Sequence, residues 1–211
     1  MEFEGHFETH ITVVAEAAQC NALHELAVER GVKFVHILLD RGRVSSQPML
    51  TIPGFGKLSD QRAMAKGFAD ELSDAGFSVT RIKIEAAPSN RDVPRSDEAA
   101  SSLPADLHFE HHVKLLLRPD DVSTLMPLVG RLGGRLSRNA RRVRDDGRFE
   151  RFVTQRLYAV GLPASQVSLN RLVTALKSGG YEVLDVEAEY VVFDSNRDLD
   201  SGWIDMNEGL E

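Results

Sequence analysis

His6-Phe7-Glu8-Thr9-His10, near the start of the chain, returns as His108-Phe109-Glu110-His111-His112 at its middle. The residues downstream of each string spell the same order of elements, and self-similarity at that scale marks a repeated unit. After the first string, Phe7, Ile11 and Val13 alternate with Glu8, His10 and Thr12, the period of a half-buried strand. Leu23, Leu26 and Ala27 then fall on one helical face, with Gly31 as the stop. The run Phe34–Asp40 reads as a strand, and Arg41-Gly42-Arg43-Val44-Ser45-Ser46 as a turn. A short strand Gln47–Ile52 is expected to end at Pro53-Gly54. A second helix is expected from an N-cap at Ser59, burying Ala65, Phe68, Ala69 and Leu72 and stopping at Gly76. The strand Phe77–Glu85 closes the unit.

The second unit repeats this order. A strand Phe109–Leu117 precedes a helix around Ser123–Leu132 whose regular part Pro127 should limit. Strands at 135–143 and 149–160 flank Asp145-Asp146-Gly147, a hairpin signal. Leu169, Leu172, Val173 and Leu176 mark a helix ending at Gly179-Gly180, and the strand Tyr181–Phe193 comes last. The expected fold is α+β: two tandem ferredoxin-like β-α-β-β-α-β modules whose sheets face each other around a polar groove or tunnel. The boundaries expected are 1–88 for the first module, 89–106 for a Pro- and Ser-rich linker without a core of its own, 107–197 for the second, and 198–211 for an acidic, loosely ordered tail in which Trp203 docks on the body.

The chain has 211 residues with 42% apolar, a formal net charge of −7, one cysteine and an acidic N-terminus. That composition excludes disordered and membrane-spanning classes, an internal disulfide and a cysteine-based zinc site. It points to a cytoplasmic protein without a signal peptide and without a membrane partner. The negative charge argues against a nucleic-acid coat, leaving at most a short RNA or nucleotide end. Arginines are nonetheless dense between Arg131 and Arg156, which reads either as a solvated hairpin face or as a local anion site.

Period two sorts each strand into a helix-facing apolar set and an open-face polar set. The open face collects Glu8, His10 and Thr12; His36 and Asp40; Gln47 and Thr51; Arg81, Lys83 and Glu85; Glu110, His112 and Lys114; and Asp185, Glu187 and Glu189. Each Glu-x-His pair sets a carboxylate beside an imidazole. Such pairs serve either as ligands for a divalent cation or as a general acid–base pair. Arg81, Lys83, Lys114, Arg141 and Arg156 are the candidates to hold an anion, most naturally a phosphate.

Two family resemblances sharpen these alternatives. His10-Ile11-Thr12-Val13 resembles the His-x-Thr/Ser-x motif of 2H phosphoesterases, which carry one motif per lobe. The resemblance implies metal-free phosphodiester chemistry with His10 and His112 as base and acid and Thr12 on the phosphate; the second string has Lys114 in the Thr position. Glu110-His111-His112-Val113-Lys114 resembles the Glu-x-Glu-x-Lys strand of triphosphate tunnel metalloenzymes, the CYTH group among them. That resemblance implies Mg²⁺ or Mn²⁺ on acidic residues (here Glu8, Glu110, Glu187 and Glu189) and a triphosphate on Lys and Arg; His112 replaces the middle Glu. The strings Phe109–Leu117 and Glu150–Arg156 also resemble an uncharacterised bacterial and fungal family, which implies no activity.

The expected function is a phosphoester or phosphoanhydride hydrolase acting on a small nucleotide or polyphosphate between the modules. The alternatives are a non-catalytic module binding an anionic ligand or a partner, and a structural oligomer pairing its open sheets. Gly54-Phe55-Gly56-Lys57 lacks the full phosphate-loop pattern. Cys20 reads as a packing residue, His24 as helix surface, and His6 and His108 as packing residues before their strands.

Overall fold

A computed structural model describes residues 2–140 and 146–204. The first half runs β1 (Glu4–Val14), α1 (Ala17–Arg30), β2 (Lys33–Leu39), β3 (Ser46–Lys57), α2 (Leu58–Asp74) and β4 (Ser78–Ala86). A short α3 (Asp97–Ser101) precedes β5 (His108–Leu117), α4 (Asp121–Arg131), β6 (Gly134–Asn139), β7 (Phe149–Tyr158), α5 (Leu162–Ser178) and β8 (Glu182–Asp194). A 3-10 turn, Arg197–Asp200, comes after β8. The protein is thus α+β, with eight antiparallel strands closed into a barrel in the order β1-β3-β2-β6-β7-β5-β8-β4. Each half contributes four neighbouring strands, and β2–β6 and β4–β8 pairings join the halves.

Alternation explains which face turns inward. Ile11, Val13, Leu50 and Ile52 pack with Leu23 and Ala27 of α1 and Ala69 and Leu72 of α2. In the other half, Val113, Leu115, Leu117, Leu136 and Val153 pack with Leu125 and Val129 of α4 and Leu169, Leu172 and Leu176 of α5. The helices therefore cover the outside of the barrel, and the polar sets of β1, β3, β4, β5 and β8 point inside; β2 is reversed, with Val35, Ile37 and Leu39 lining the interior and His36, expected on the open face, turned to the helix side beside Phe34. A bulge between Thr12 and Val13, opposite Arg81 and Val79, is the irregularity that lets Val79, Ile82 and Ile84 share a pattern. Among the described residues no helix is long and apolar enough to cross a membrane.

Several local expectations change. β3 does not end at Pro53-Gly54: it continues to Lys57, with Glu8 opposite Pro53. Its pairing with β2 stops at Thr51, so Pro53 has a neighbouring strand on one side only, where proline is tolerated. Gly54 is instead a close-approach position, because a Cβ there would lie 1.9 Å from Gln61 Oε1. Ser59 does not cap α2; its N–H donates to the Glu2 carboxylate at 2.8 Å, and the helix begins one residue earlier. Pro127 lies inside α4, which continues to Arg131. Burial of Leu125 and Val129, roughly 1.5–3 kcal/mol each, offsets the roughly 3 kcal/mol that an interior proline removes.

The stretch between the halves is ordered along the first half. Val93 and Ala100 are buried, and Val93 joins Phe3, Phe7, Phe109 and Tyr190 in one apolar cluster. Buried Asn90 accepts from the His6 N–H and donates to its carbonyl, clamping this segment to β1. The described part of the tail is likewise not loose. Trp203 and Ile204 pack on Leu39, and the Trp203 indole N–H donates to the Leu136 carbonyl at 3.0 Å. Arg141, in the expected strand 135–143, and Asp145 of the expected hairpin turn lie outside the described residues.

Candidate active site

The barrel encloses a cavity of about 330 Å³. One wall is apolar, with Val35, Ile37, Leu39, Met49, Phe152 and Trp203; the other carries the polar sets of β1, β4, β5 and β8. Of the residues singled out from the sequence, Glu8, His10, Thr12, Arg81, Lys83, Glu110, His112, Lys114, Arg156, Glu187 and Glu189 all line it. Arg141 is not described.

The two histidines are held in matching ways. His10 stands opposite Thr51 across β1–β3, and its Nδ1 lies 3.0 Å from Thr51 Oγ1. His112 stands opposite Thr154 across β5–β7, and its Nδ1 also lies 3.0 Å from that hydroxyl. A threonine directly across the ladder therefore orients each ring and turns its Nε2 toward carboxylates. His10 Nε2 meets Glu85 at 2.6 Å and Glu8 at 3.6 Å. His112 Nε2 meets Glu110 at 3.1 Å and Glu189 at 3.8 Å.

The inward cations of β4, β5 and β7 are already compensated. Arg81 binds both oxygens of Asp194 and one of Asp200. Arg156 bridges Asp200 and Glu110. Lys83 lies 2.7 Å from Glu110 and 2.6 Å from Glu85. The result is a continuous buried ladder of alternating charge: Asp194, Arg81, Asp200, Arg156, Glu110, Lys83, Glu85 and then His10. Lys114 pairs with Glu150 at 2.8 Å. Buried charges persist only when paired in this way.

The ladder sets the protonation of its members. Burial disfavours charge on Glu85, but Lys83 and then His10 hold it well below the usual carboxylate range. Burial likewise opposes charge on Glu110, and Arg156 and Lys83 override it downward. For Asp200 burial is outweighed by Arg156 and Arg81, bringing it down to about 2. Glu189 goes the other way: burial first, then the charge of Glu85, push it well above the ordinary value. An ionised Glu85 accepts from His10, which places a proton on Nε2, while Nδ1 faces the Thr51 hydroxyl, a group able to accept or to donate.

The cation ligands that the tunnel-enzyme resemblance implies fit in part. Glu110 is taken up by Lys83, Arg156 and His112, whereas Glu8, Glu187 and Glu189 line the cavity with no lysine or arginine paired to them among the described residues. Glu85, His112 and Glu189 each offer a ligand atom within 4.8 Å of the others.

Sequence reasoning placed Glu85 and Thr51 on the inner face without assigning them a role, and it missed Thr154, Asp194 and Asp200. For Thr154 the signal was available, since it occupies in the second unit the place of Thr51 in the first. Nothing local distinguishes Asp200 from its acidic neighbours. His111 faces outward and is structural, with its nitrogens at Gln155 and Ser165. His6 and His108 rest edgewise or tilted on Phe55 and Tyr158, their cross-strand partners, at 4.9 and 4.6 Å.

No family model matches the chain, and no curated protein matches it. Among solved structures, the acetolactate synthase small subunit from Thermotoga maritima aligns over 89% of this chain and 94% of its own, at 13% identity and a TM-score of 0.32. The chlorite dismutase from Candidatus Nitrospira defluvii, solved with imidazole, aligns over 90% and 92%, at 13% identity and a TM-score of 0.28.

Proposed function

We propose that the barrel interior is the active site of a hydrolase for phosphoesters or phosphoanhydrides of a small nucleotide-like molecule, set between two copies of one ferredoxin-like unit. The observation that carries this reading is the pair of threonine-oriented imidazoles, His10 and His112, each facing carboxylates in one cavity. Imidazoles so fixed suit proton transfer, and a positioned acid or base contributes typically about 10²–10⁴-fold. The apolar wall suits a planar ring, and the histidine wall suits the scissile group. In its imidazolium form His10 gives the Nε2 proton it shares with Glu85 to the departing oxygen as the bond to phosphorus breaks, and it is left as neutral imidazole with Nδ1 still on Thr51. The attacking water, on the opposite side of the phosphorus, gives its proton to the neutral imidazole of His112 as its oxygen bonds to phosphorus. Thr12 and Lys114 flank the same space. A divalent cation, when bound, would add charge neutralisation at the phosphoryl oxygens.

The test is a screen of cyclic and linear nucleotides and triphosphates, with Mg²⁺ or Mn²⁺ and with EDTA. Turnover that falls at least about a hundredfold in both His10→Ala and His112→Ala supports the reading. No turnover with any substrate, or turnover unchanged in both variants, overturns it. Activity surviving EDTA keeps His112 as a base; activity lost with EDTA makes it a ligand.

One observation favours a second reading, a binding protein without turnover. Arg81, Lys83 and Arg156 are each paired to internal acids and have little charge left for a phosphate. Tight ligand binding without hydrolysis is its signature.

A further inference from the structure

We infer that Glu85, His112 and Glu189 form a binding site for one divalent transition-metal ion, preferring Mn²⁺ or Zn²⁺ to Mg²⁺. The inference names the cofactor of the cavity described above; only its link to hydrolysis rests on that reading.

Distance is the first argument. The three ligand atoms lie within 4.8 Å of one another. Ligands about 2.0–2.2 Å from a common ion stand roughly 3–4.4 Å apart, so small side-chain movements close the set. Orientation is the second. The Nδ1 contact with Thr154 fixes the His112 ring and presents Nε2, the arrangement in which an outer partner aligns a metal-binding imidazole.

The third argument is a buried carboxylate oxygen without a hydrogen-bond donor. Glu85 is almost wholly buried, yet its Oε1 has no hydrogen-bond donor; Lys83 Nζ is 2.6 Å away but off the hydrogen-bonding direction. Around His112 Nε2 stand oxygens of Glu110, Glu189 and Glu85. The cations among them are Lys83, shared between Glu85 and Glu110, and Arg156, shared between Glu110 and Asp200. Two carboxylates as close as Glu85 and Glu189 need either a proton or a cation between them. A divalent ion replaces that proton. The imidazole ligand selects the metal, since Mg²⁺ prefers an all-oxygen shell whereas Mn²⁺ and Zn²⁺ accept nitrogen.

The test uses the full chain stripped with EDTA and dialysed, without any substrate. Mn²⁺ is titrated and followed by loss of the free-ion paramagnetic resonance signal, and Zn²⁺ by calorimetry. One ion per chain is expected, weakened about tenfold or more in Glu189→Gln and in His112→Gln. Glu189→Gln preserves the shape of the protonated acid and so keeps the fold; unchanged emission of Trp203 checks this. Binding should also raise the melting temperature of the wild type and not of Glu189→Gln. Failure of both ions to bind, or affinity unchanged in both variants, overturns the site. Because binding is measured without turnover, a protein that binds the ion and hydrolyses nothing refutes the proposed activity and leaves the metal site standing.

Discussion

Asp200→Ala should loosen one end of the barrel, and the structure allows its size to be worked out. Asp200 Oδ2 accepts from Arg81 at 3.0 Å and from Arg156 at 2.6 Å, while Oδ1 accepts from Gln47 at 3.0 Å. Truncation removes a carboxylate from between two buried guanidinium groups. Breaking a buried ion pair costs about 3–5 kcal/mol. Arg81 retains Asp194 and Arg156 retains Glu110, so the lower end, about 3 kcal/mol, is expected. A second route agrees. The Asp200 carboxyl falls from 3.8 to about 2, which corresponds to about 2 kcal/mol at roughly 1.4 kcal/mol per unit. With a urea dependence of about 2–3 kcal/mol per molar, the midpoint should drop by about 1 M. Because the folded value is depressed, this stability is present above the ordinary aspartate range and is lost as the pH falls toward about 2. The difference between wild type and variant should therefore shrink below about pH 4. Trp203, the only tryptophan, donates its backbone N–H to the Asp200 carbonyl and should report the loosening by red-shifted emission. A midpoint shift under about a quarter molar with unaltered emission would refute the claim that Asp200 holds the ladder to the tail.

Packing and charge lead to three more expected outcomes. Gly161→Ala should destabilise by about 1–3 kcal/mol in urea unfolding, because its Cβ would meet the Ser96 backbone at 2.5 Å and backbone cannot swing away. Leu172→Ala, at a fully buried position in the core that α4 and α5 share with the second half of the barrel, should cost about 2–5 kcal/mol by the same measurement. In metal-free protein, Glu189→Gln should flatten the decline of stability with pH. A carboxyl whose folded value is raised contributes fully below its unfolded value and loses that contribution as pH rises through the folded one, so the variant should gain on the wild type from about pH 4 upward.

Much of this arrangement was legible because strand alternation is a local rule. The inward sets of β1, β4 and β5 come from period two alone, including His10, Lys83 and His112. Closure into a barrel was not legible. It depends on β2 meeting β6 over three residue pairs and on β4 meeting β8, contacts between strands remote in sequence. The compensation of the cations was hidden for the same reason. Arg81 finds its partners at Asp194 and Asp200, more than a hundred positions away. Prolines misled in two places, Pro53 and Pro127, because a proline signal is local whereas the packing that overrides it is not.

The two halves share an element order but differ in the path the chain takes after the fourth strand of each, and that difference accounts for the polarity of the cavity. After β4 the chain turns back along β1, with Ala87 and Arg91 donating to His6 and Glu4. It stays outside the cavity. After β8 the chain runs instead along β4: the Ser195 N–H donates to the Ile82 carbonyl, and the Asn196 side chain to the Thr80 carbonyl. That path carries Asp194 and Asp200 to Arg81 and ends with Trp203 on Leu39 and Leu136. The inward residues of β4 are thereby buried and neutralised. Among the described residues their positional counterparts on β8 have no such cover, because β8 pairs with β4 only from Tyr190 onward. Asp185 and Glu187 remain exposed where they line the cavity. The tail thus closes the cationic side of the barrel and leaves the acidic side open, so an approaching ligand first meets carboxylates. A cationic ligand or a metal-bound anion suits such an approach better than a bare phosphate does.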